Sequence, residues 1–275
     1  MLKLMYITNR PEIAQIAESA GVDRVFVDLE YIGKSARQGG MDTVQSRHTV
    51  QDVATIRTAI NTAELLVRVN PIHDATTDYT SSEEEIASVI AAGADVVMLP
   101  YFKTAEEVQR FISAIDGKAR AMLLFETAEA VENIESILSI PGIDEVYVGL
   151  NDLSLSYGMK FMFQLLADGT VDRLAARFKQ QGLPFGFGGI AALGKGALPS
   201  EYVIREHYRL GSTCAILSRS FCNTNLITHL GQISTTFIDG VREIRALETE
   251  CRQHLDYFTT NRTIVQEKVA AFINA

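Results

Sequence analysis

The chain has 275 residues, a length that suits one large α/β barrel or two small domains, and its hydrophobic content of 47% is ordinary for a protein with a real core. A formal net charge of −9 argues against general nucleic-acid binding, which shows a basic footprint, but leaves room for an anionic substrate held by a few local cations. Cys214, Cys222 and Cys251 are too scattered for a disulfide framework or a zinc site. The start, MLKLMYITNRPE, lacks the apolar stretch of a signal peptide, and no run reaches the ~20 apolar residues of a membrane span, so a reduced, cytoplasmic protein with no membrane partner is expected.

Taken in order, strand and helix patterns alternate. LKLMYI reads as a strand, and PEIAQIAESAG as a helix with Pro11 near its first turn and Gly21 after its end. DRVFVDLE has Val25, Phe26 and Val27 between charged flanks, the pattern of a buried parallel strand, with Asp28 and Glu30 at its C-terminal end. Tyr31 to His48 is a long polar loop carrying Lys34, Arg37, Gly39, Gly40 and Arg47, and loops this long are often functional. TVQDVATIRTAINTA is a helix with Thr49 and Asp52 as a capping pair. ELLVRVN is a strand ending in Arg68 and Asn70. SSEEEIASVIAAG is a helix with acidic residues where the dipole favours them. ADVVMLP and the helix TAEEVQRFISAIDG follow. AMLLF runs into Glu126. TAEAVENIESIL has apolar residues at helical spacing, Ala130, Val131, Ile134, Ile137 and Leu138, and stops at Pro141-Gly142. EVYVG then runs into Asn151-Asp152.

Past Asp152 the regularity weakens. SLSYGMKFMFQLLADGT is an apolar insertion before the helix VDRLAARFKQQG. LPFGFGGI is a seventh strand, EYVIREHYRLG a helix, and STCAILSRSF an eighth strand. From Asn223 onward the pattern is helical. This alternation predicts an α/β fold, a (β/α)8 TIM barrel over residues 1–250, with a C-terminal helical extension over 251–275. A doubly wound sheet is the second choice, because it would concentrate the polar strand ends at one switch point.

A barrel opens every strand's C-terminal end onto one face. That gathers Glu30, Arg68, Glu126, Asn151 and Asp152 around one mouth. Glu126 and Asp152 end successive parallel strands, about 4.8 Å apart, and can share a hard cation such as Mg2+ or Mn2+ while leaving positions for water and substrate. Taken singly, Glu126 also reads as a helix cap and Asp152 as a turn residue. A 2-oxo-acid suits the open positions, with the cation as Lewis acid. Arg68 can stabilise charge on the keto oxygen as an enolate forms, and backbone N–H groups of Gly149, Leu150 and Asn151 can hold the substrate carboxylate.

Four stretches, VFVDLE (25–30), VRVN (67–70), GADVVMLP (93–100) and LFETAEAVENIESILSIPGIDEVYVGLNDLSLSYG (124–158), resemble the metal-dependent class II hydroxy-acid aldolases and citrate lyase β-subunits of the phosphoenolpyruvate/pyruvate-type barrels. The resemblance covers about the first 160 residues, with topology alone beyond them. It implies that Glu126 and Asp152 are metal ligands, that Arg68 contacts the keto or enolate oxygen, and that Glu30 lies near the metal through a water. It further implies a carbon–carbon lyase, with an acyl-CoA lyase as the same-chemistry alternative and a degenerate anion-binding barrel as the different one. The aldolase branch has a histidine directly after the glutamate of the second strand; here that position is Tyr31. Acid/base work then falls to Tyr31, or to His48 if the loop folds back, and His48 also reads as a residue at a helix start. The loop's cations suit an anionic co-substrate, and its glycines would let it close.

GFGGIAALGKGALPS (186–200) is a second Gly-rich stretch. Loops after the last barrel strands often bind phosphate, which makes Lys195, with Arg219, a candidate for substrate contact; plain turn formation is the other reading. His73, His207, His229 and His254 show no ligand spacing. A homo-oligomer joined through the C-terminal helices is expected from the resemblance, against a helix folded on its own barrel.

Overall fold

Eight short apolar runs become the strands of a closed barrel, each parallel to the next, with the last returning to pair with the first. The computed structural model describes residues 1–33, 48–254 and 256–274. The cationic part of the Tyr31–His48 loop, with Lys34, Arg37, Gly39, Gly40 and Arg47, lies outside the described residues. The strands are β1 (Lys3–Ile7), β2 (Arg24–Asp28), β3 (Glu64–Arg68), β4 (Val96–Leu99), β5 (Arg120–Phe125), β6 (Glu145–Val148), β7 (Phe185–Ile190) and β8 (Cys214–Leu217). Between them run α1 (Pro11–Ser19), α2 (Val50–Ala59), α3 (Ser82–Ala91), α4 (Ala105–Ile115), α5 (Ala128–Glu132), α6 (Ile134–Leu138), α7 (Leu150–Ser156), α8 (Gln164–Ala167), α9 (Thr170–Gln180) and α10 (Ser200–Leu210). After β8 come α11 (Leu230–Gln253) and α12 (Tyr257–Asn274).

The expected barrel is therefore the observed one. Thr49 and Asp52 form the anticipated reciprocal cap of α2, and Ser81 and Thr104 cap α3 and α4 the same way. One local expectation changes. TAEAVENIESIL is two short helices, broken at Asn133, whose side chain donates to the Lys103 carbonyl. The C-terminal segment forms two helices. Helix α11 packs beside α1 and α10 and closes the helical ring, while α12 packs on α8 and α10 of its own barrel. Phe272 of α12 stacks on Phe161, and Asn261 donates to Glu206 and to the Tyr202 carbonyl. Among the described residues no helix is long and apolar enough to cross a membrane. All three cysteines are buried and free.

Alternation along the strands divides the core in two. One set of side chains, including Leu4, Val25, Leu65, Val97, Leu123 and Val146, packs under the helices. The other, including Met5, Phe26, Leu66, Met98, Met122 and Tyr147, fills the barrel. The same inward parity puts Lys3, Arg24, Glu64, Arg120 and Glu145 at the N-terminal end, where charged strand starts meet as a plug. Arg24 is 0% exposed. It forks onto Glu145 at 2.6 and 2.8 Å and donates to Glu64 at 2.5 Å. Arg120 bridges the same two carboxylates at 3.1 and 2.6 Å. Planar bidentate pairing of this kind is what makes buried arginine tolerable.

At the β7–β8 seam the register shifts between Gly186 and Gly189. Tyr147 fills the break: its hydroxyl reaches the Gly188 carbonyl at 2.5 Å and accepts the Ile216 N–H at 2.9 Å. Gly186 is required here, because a Cβ would lie 2.5 Å from the Tyr147 ring and against the Cys214 carbonyl.

Arg24→Met removes the fully buried one of the two arginines that bridge Glu64 and Glu145. Breaking a buried pair from one side costs ~3–5 kcal/mol, so urea unfolding should show a much lower midpoint with little change in slope. An unchanged midpoint would show that the plug is dispensable.

Candidate active site

At the opposite end, the strand termini carry a second charged cluster. Asp28 and Arg68 are register partners on β2 and β3, so the guanidinium falls directly on the carboxylate. Arg68 Nε and Nη2 each donate to Asp28 at 2.8 Å, and Nη1 lies 3.3 Å from Glu30. Asp28 and Glu30 are both 2% exposed. Burial alone would lower the Arg68 pKa, but Asp28 and Glu30 beside it overcome that and raise it. The ion is a permanent cation.

Glu126 follows β5, and Gly149 follows β6, one step beyond the register pair Phe125 and Val148. The Glu126 carboxylate is 3% exposed and accepts the Tyr101 N–H on Oε1 at 3.0 Å. A Cβ on Gly149 would lie 2.8 Å from Glu126 Oε2, so this glycine exists to let the carboxylate pass. Burial, then the negative charges of Glu30 and Asp152, push the Glu126 pKa well above the ordinary carboxylate value, against the pull of Arg68 and the Tyr101 N–H. Asp152 sits half-buried in the first turn of α7. Four of the five residues that the strand-end reading gathered, Glu30, Arg68, Glu126 and Asp152, thus act on one another.

The other expected residues divide. His48 returns to the end of β2, where its Nδ1 accepts the Asp28 N–H at 3.0 Å. That bond leaves the proton of the neutral ring on Nε2. Tyr31 is 53% exposed. Burial, with Glu85, Tyr79 and Asp78 around it, raises its pKa. The Gly149 N–H is committed to the Phe125 carbonyl at 2.9 Å, which leaves the N–H groups of Leu150 and Asn151 at the start of α7. Lys195 is exposed on the β7–α10 loop, where Gly194 donates to Glu201.

Sequence reasoning passed over three residues that shape this site. Asp28 shares inward parity with Glu30, and that alternation was the available signal. Asn70 takes the N–H groups of Tyr31 and Ile32 at 2.9 and 3.0 Å and is itself held by Glu85. Tyr101 has a backbone φ of 51°, which no residue pattern announces.

A divalent cation suits this donor set. Glu126 and Asp152 offer hard carboxylate oxygens, and the charge of Asp152 opposes ionisation of Glu126, a repulsion that a cation would relieve. Among the described residues no group of three or more His, Cys, Asp and Glu side chains closes on one ion position.

The family model for HpcH/HpaI aldolase/citrate lyase matches residues 3–163, more than half of the chain. The chain belongs to that family. Within it, the chain is 28% identical over 177 residues to a 4-hydroxy-2-oxovalerate aldolase of Novosphingobium aromaticivorans, covering 54% of this chain and 60% of that protein. It is 23% identical over 213 residues to a 4-hydroxy-4-methyl-2-oxoglutarate aldolase of Chaetomium globosum, covering 66% and 72%. An HpcH/HpaI aldolase/citrate lyase family protein of Burkholderia cenocepacia J2315 shares the fold with a TM-score of 0.63 at 18% identity, over 84% of this chain and 94% of that one. The family match ends shortly after Asp152, so it contains all four clustered residues.

Glu126→Gln tests the electrostatics of this cluster without metal. Below the ordinary carboxylate value of 4.5, folded and unfolded chains both hold the proton and the substitution is neutral. Above it the unfolded carboxyl ionises and the folded one resists, so wild-type stability declines with rising pH. The metal-free variant should therefore melt higher than wild type at pH 8, by about 2–4 °C for each ~1 kcal/mol relieved, and the gap should vanish near pH 4.5. A variant that melts lower at pH 8 would mean the carboxylate is stabilised where it stands.

Proposed function

We propose that this family member is a divalent-metal-dependent carbon–carbon lyase of the aldolase type, acting on a 4-hydroxy-2-oxo-acid through an enolate of the 2-oxo-acid fragment. The observation that supports it most is the meeting of Glu126, Asp152 and Glu30 with a clamped Arg68 at the barrel mouth. The names of the two aldolases above share a hydroxyl two carbons beyond a keto group. That β-hydroxy ketone pattern is what retro-aldol cleavage needs.

Glu126 and Asp152 would hold Mg2+ or Mn2+, which when bound supplies Lewis-acid polarisation of the substrate keto group. Arg68 has five N–H donors, of which two are hydrogen-bonded to Asp28, with Nη1 3.3 Å from Glu30. Its guanidinium stabilises charge that develops on the keto oxygen. The clamp fixes the guanidinium plane, so it is aimed before substrate arrives. The N–H groups of Leu150 and Asn151 open α7 and receive the substrate carboxylate. His48, fixed by Asp28, presents its Nε2–H at the β2 end and is the acid/base residue that this geometry favours over Tyr31. Lys195 contributes charge to the rim for an anionic aldehyde fragment.

Two measurements check this reading. Calorimetry with Mn2+ should show affinity at least about tenfold weaker in Glu126→Gln and Asp152→Asn, since each removes a charged ligand and keeps its shape; wild-type affinity in both would remove the metal assignment. Exchange of the pyruvate methyl protons with deuterated solvent reads enolate formation without knowledge of the aldehyde. Arg68→Lys keeps the charge and loses the planar fork. It should lower kcat for exchange by about 10²–10³ while KM moves little. A change confined to KM would reduce Arg68 to a binding role.

A further inference from the structure

Tyr101 directly follows Pro100 at the end of β4 and holds a left-handed backbone, φ 51°. For a bulky residue this conformation is a true outlier and carries strain. Such strain persists where surrounding bonds over-determine it, and here five contacts do so. Tyr101 N–H donates to Glu126 Oε1 at 3.0 Å. The Thr127 hydroxyl donates to the Phe102 carbonyl at 2.8 Å, and Asn133 Nδ2 donates to the Lys103 carbonyl at 3.0 Å. Lys103 Nζ pairs with Glu129 at 2.8 Å and sits 5.6 Å from the centre of the Tyr101 ring. Every one of these contacts ties residues 101–103 to the segment after β5, or closes the turn on itself.

The two oxygens of Glu126 are therefore not equivalent. Oε1 is engaged by the Tyr101 N–H, and Oε2 lies over the bare α-carbon of Gly149, whose Cβ would be 2.8 Å away. One oxygen faces the β4 turn and the other faces the loop that carries Asp152. Resting on the metal-site reading above, we infer that Tyr101 is a positioning residue: its left-handed backbone aims an N–H at Glu126 and thereby fixes the oxygen that Glu126 offers beside Asp152. The contact acts through Glu126 and is made by the backbone N–H.

Two substitutions at this position separate backbone from side chain. Tyr101→Val keeps the N–H, but a β-branched residue resists positive φ, so the turn relaxes and the N–H leaves Glu126. Tyr101→Gly also removes the phenol, yet accepts positive φ without strain. Calorimetry with Mn2+ alone, on the full chain, should show affinity about tenfold weaker in Tyr101→Val, the range for losing a residue that orients a metal ligand. Tyr101→Gly should bind at least about tenfold more tightly than Tyr101→Val, and metal-free Tyr101→Gly should melt above wild type. Equal weakening in both variants would assign the effect to the ring and overturn the inference. Wild-type affinity in Tyr101→Val, with Glu126→Gln still weakened, would overturn it too and leave the metal site standing. Wild-type affinity in Glu126→Gln would remove the site itself. Amide hydrogen exchange gives a readout that does not require Tyr101→Val to fold: the Tyr101 amide should be protected in the wild-type chain and should exchange faster in Glu126→Ala. Equal exchange in the two would show that the N–H is not held by this carboxylate.

Discussion

The ion pair between Arg68 and Asp28 sets the terms for everything at the barrel mouth. It forms because two strands register Asp28 against Arg68, and together with Glu30 it engages the guanidinium that lies nearest Glu126. Among the described residues no ion pair is made by Glu126, whose hydrogen bond is to a backbone N–H. Inside a protein, where the effective dielectric is low, like charges this close cannot all ionise cheaply. A site in this state either keeps a proton or takes a cation. The surplus is thus a standing demand for positive charge, created by strand register and sustained by burial.

The other end of the same strands shows the opposite solution. Arg24, Glu64, Arg120 and Glu145 begin β2, β3, β5 and β6, and Asp28, Arg68 and Glu126 stand at or just beyond the far ends of the first three. At the N-terminal plug two arginines and Lys3 meet two glutamates in direct contact. Arg24 and Glu145 are forked together out of solvent, while Glu64, Arg120 and Lys3 reach the rim, and direct pairing of this kind is how a buried arginine stays tolerable. Between the two clusters lies the apolar layer of Met5, Phe26, Leu66 and Met122. This division, stability at one face and chemistry at the other, is general to such barrels. Here it is written in the charges of the strand ends.

How much of this could be read in advance follows from the kind of information each feature needs. The barrel was legible because buried parallel strands give continuous apolar runs, and each run fixes where a strand ends. Glu126, Asp152, Arg68 and Glu30 follow from those endpoints. Pairing was less legible. Arg24 reads as a charged flank before Val25, and its complete burial depends on Glu64 and Glu145 arriving from strands far along the chain. The break at Asn133 was hidden because its helical apolar spacing continues through both pieces; a tertiary bond to Lys103 decides it. His48 gave a mixed signal, a residue before a helix cap and also a histidine near an acidic strand end. Both descriptions hold, because the cap of α2 lies beside the end of β2.

Backbone conformations were the least legible of all, and the site depends on several. Gly149 makes room for Glu126, and Gly188, with a φ of 56°, makes room for Leu150, whose side chain would lie 2.7 Å from a Cβ there. The Gly188 carbonyl is in turn held by Tyr147 from inside the barrel. The start of α7, and Asp152 with it, rests against two positions that have no side chain. Tyr101 supplies the contrasting case on the far side of Glu126, where a bulky residue takes the conformation that glycine would adopt freely. The carboxylate is therefore bounded on one side by backbone that was allowed to come close and on the other by backbone that was bent to reach it. Substitutions that keep every charged residue can still disable such a site, because what aligns Glu126 with Asp152 is carried by main-chain geometry rather than by the carboxylates themselves.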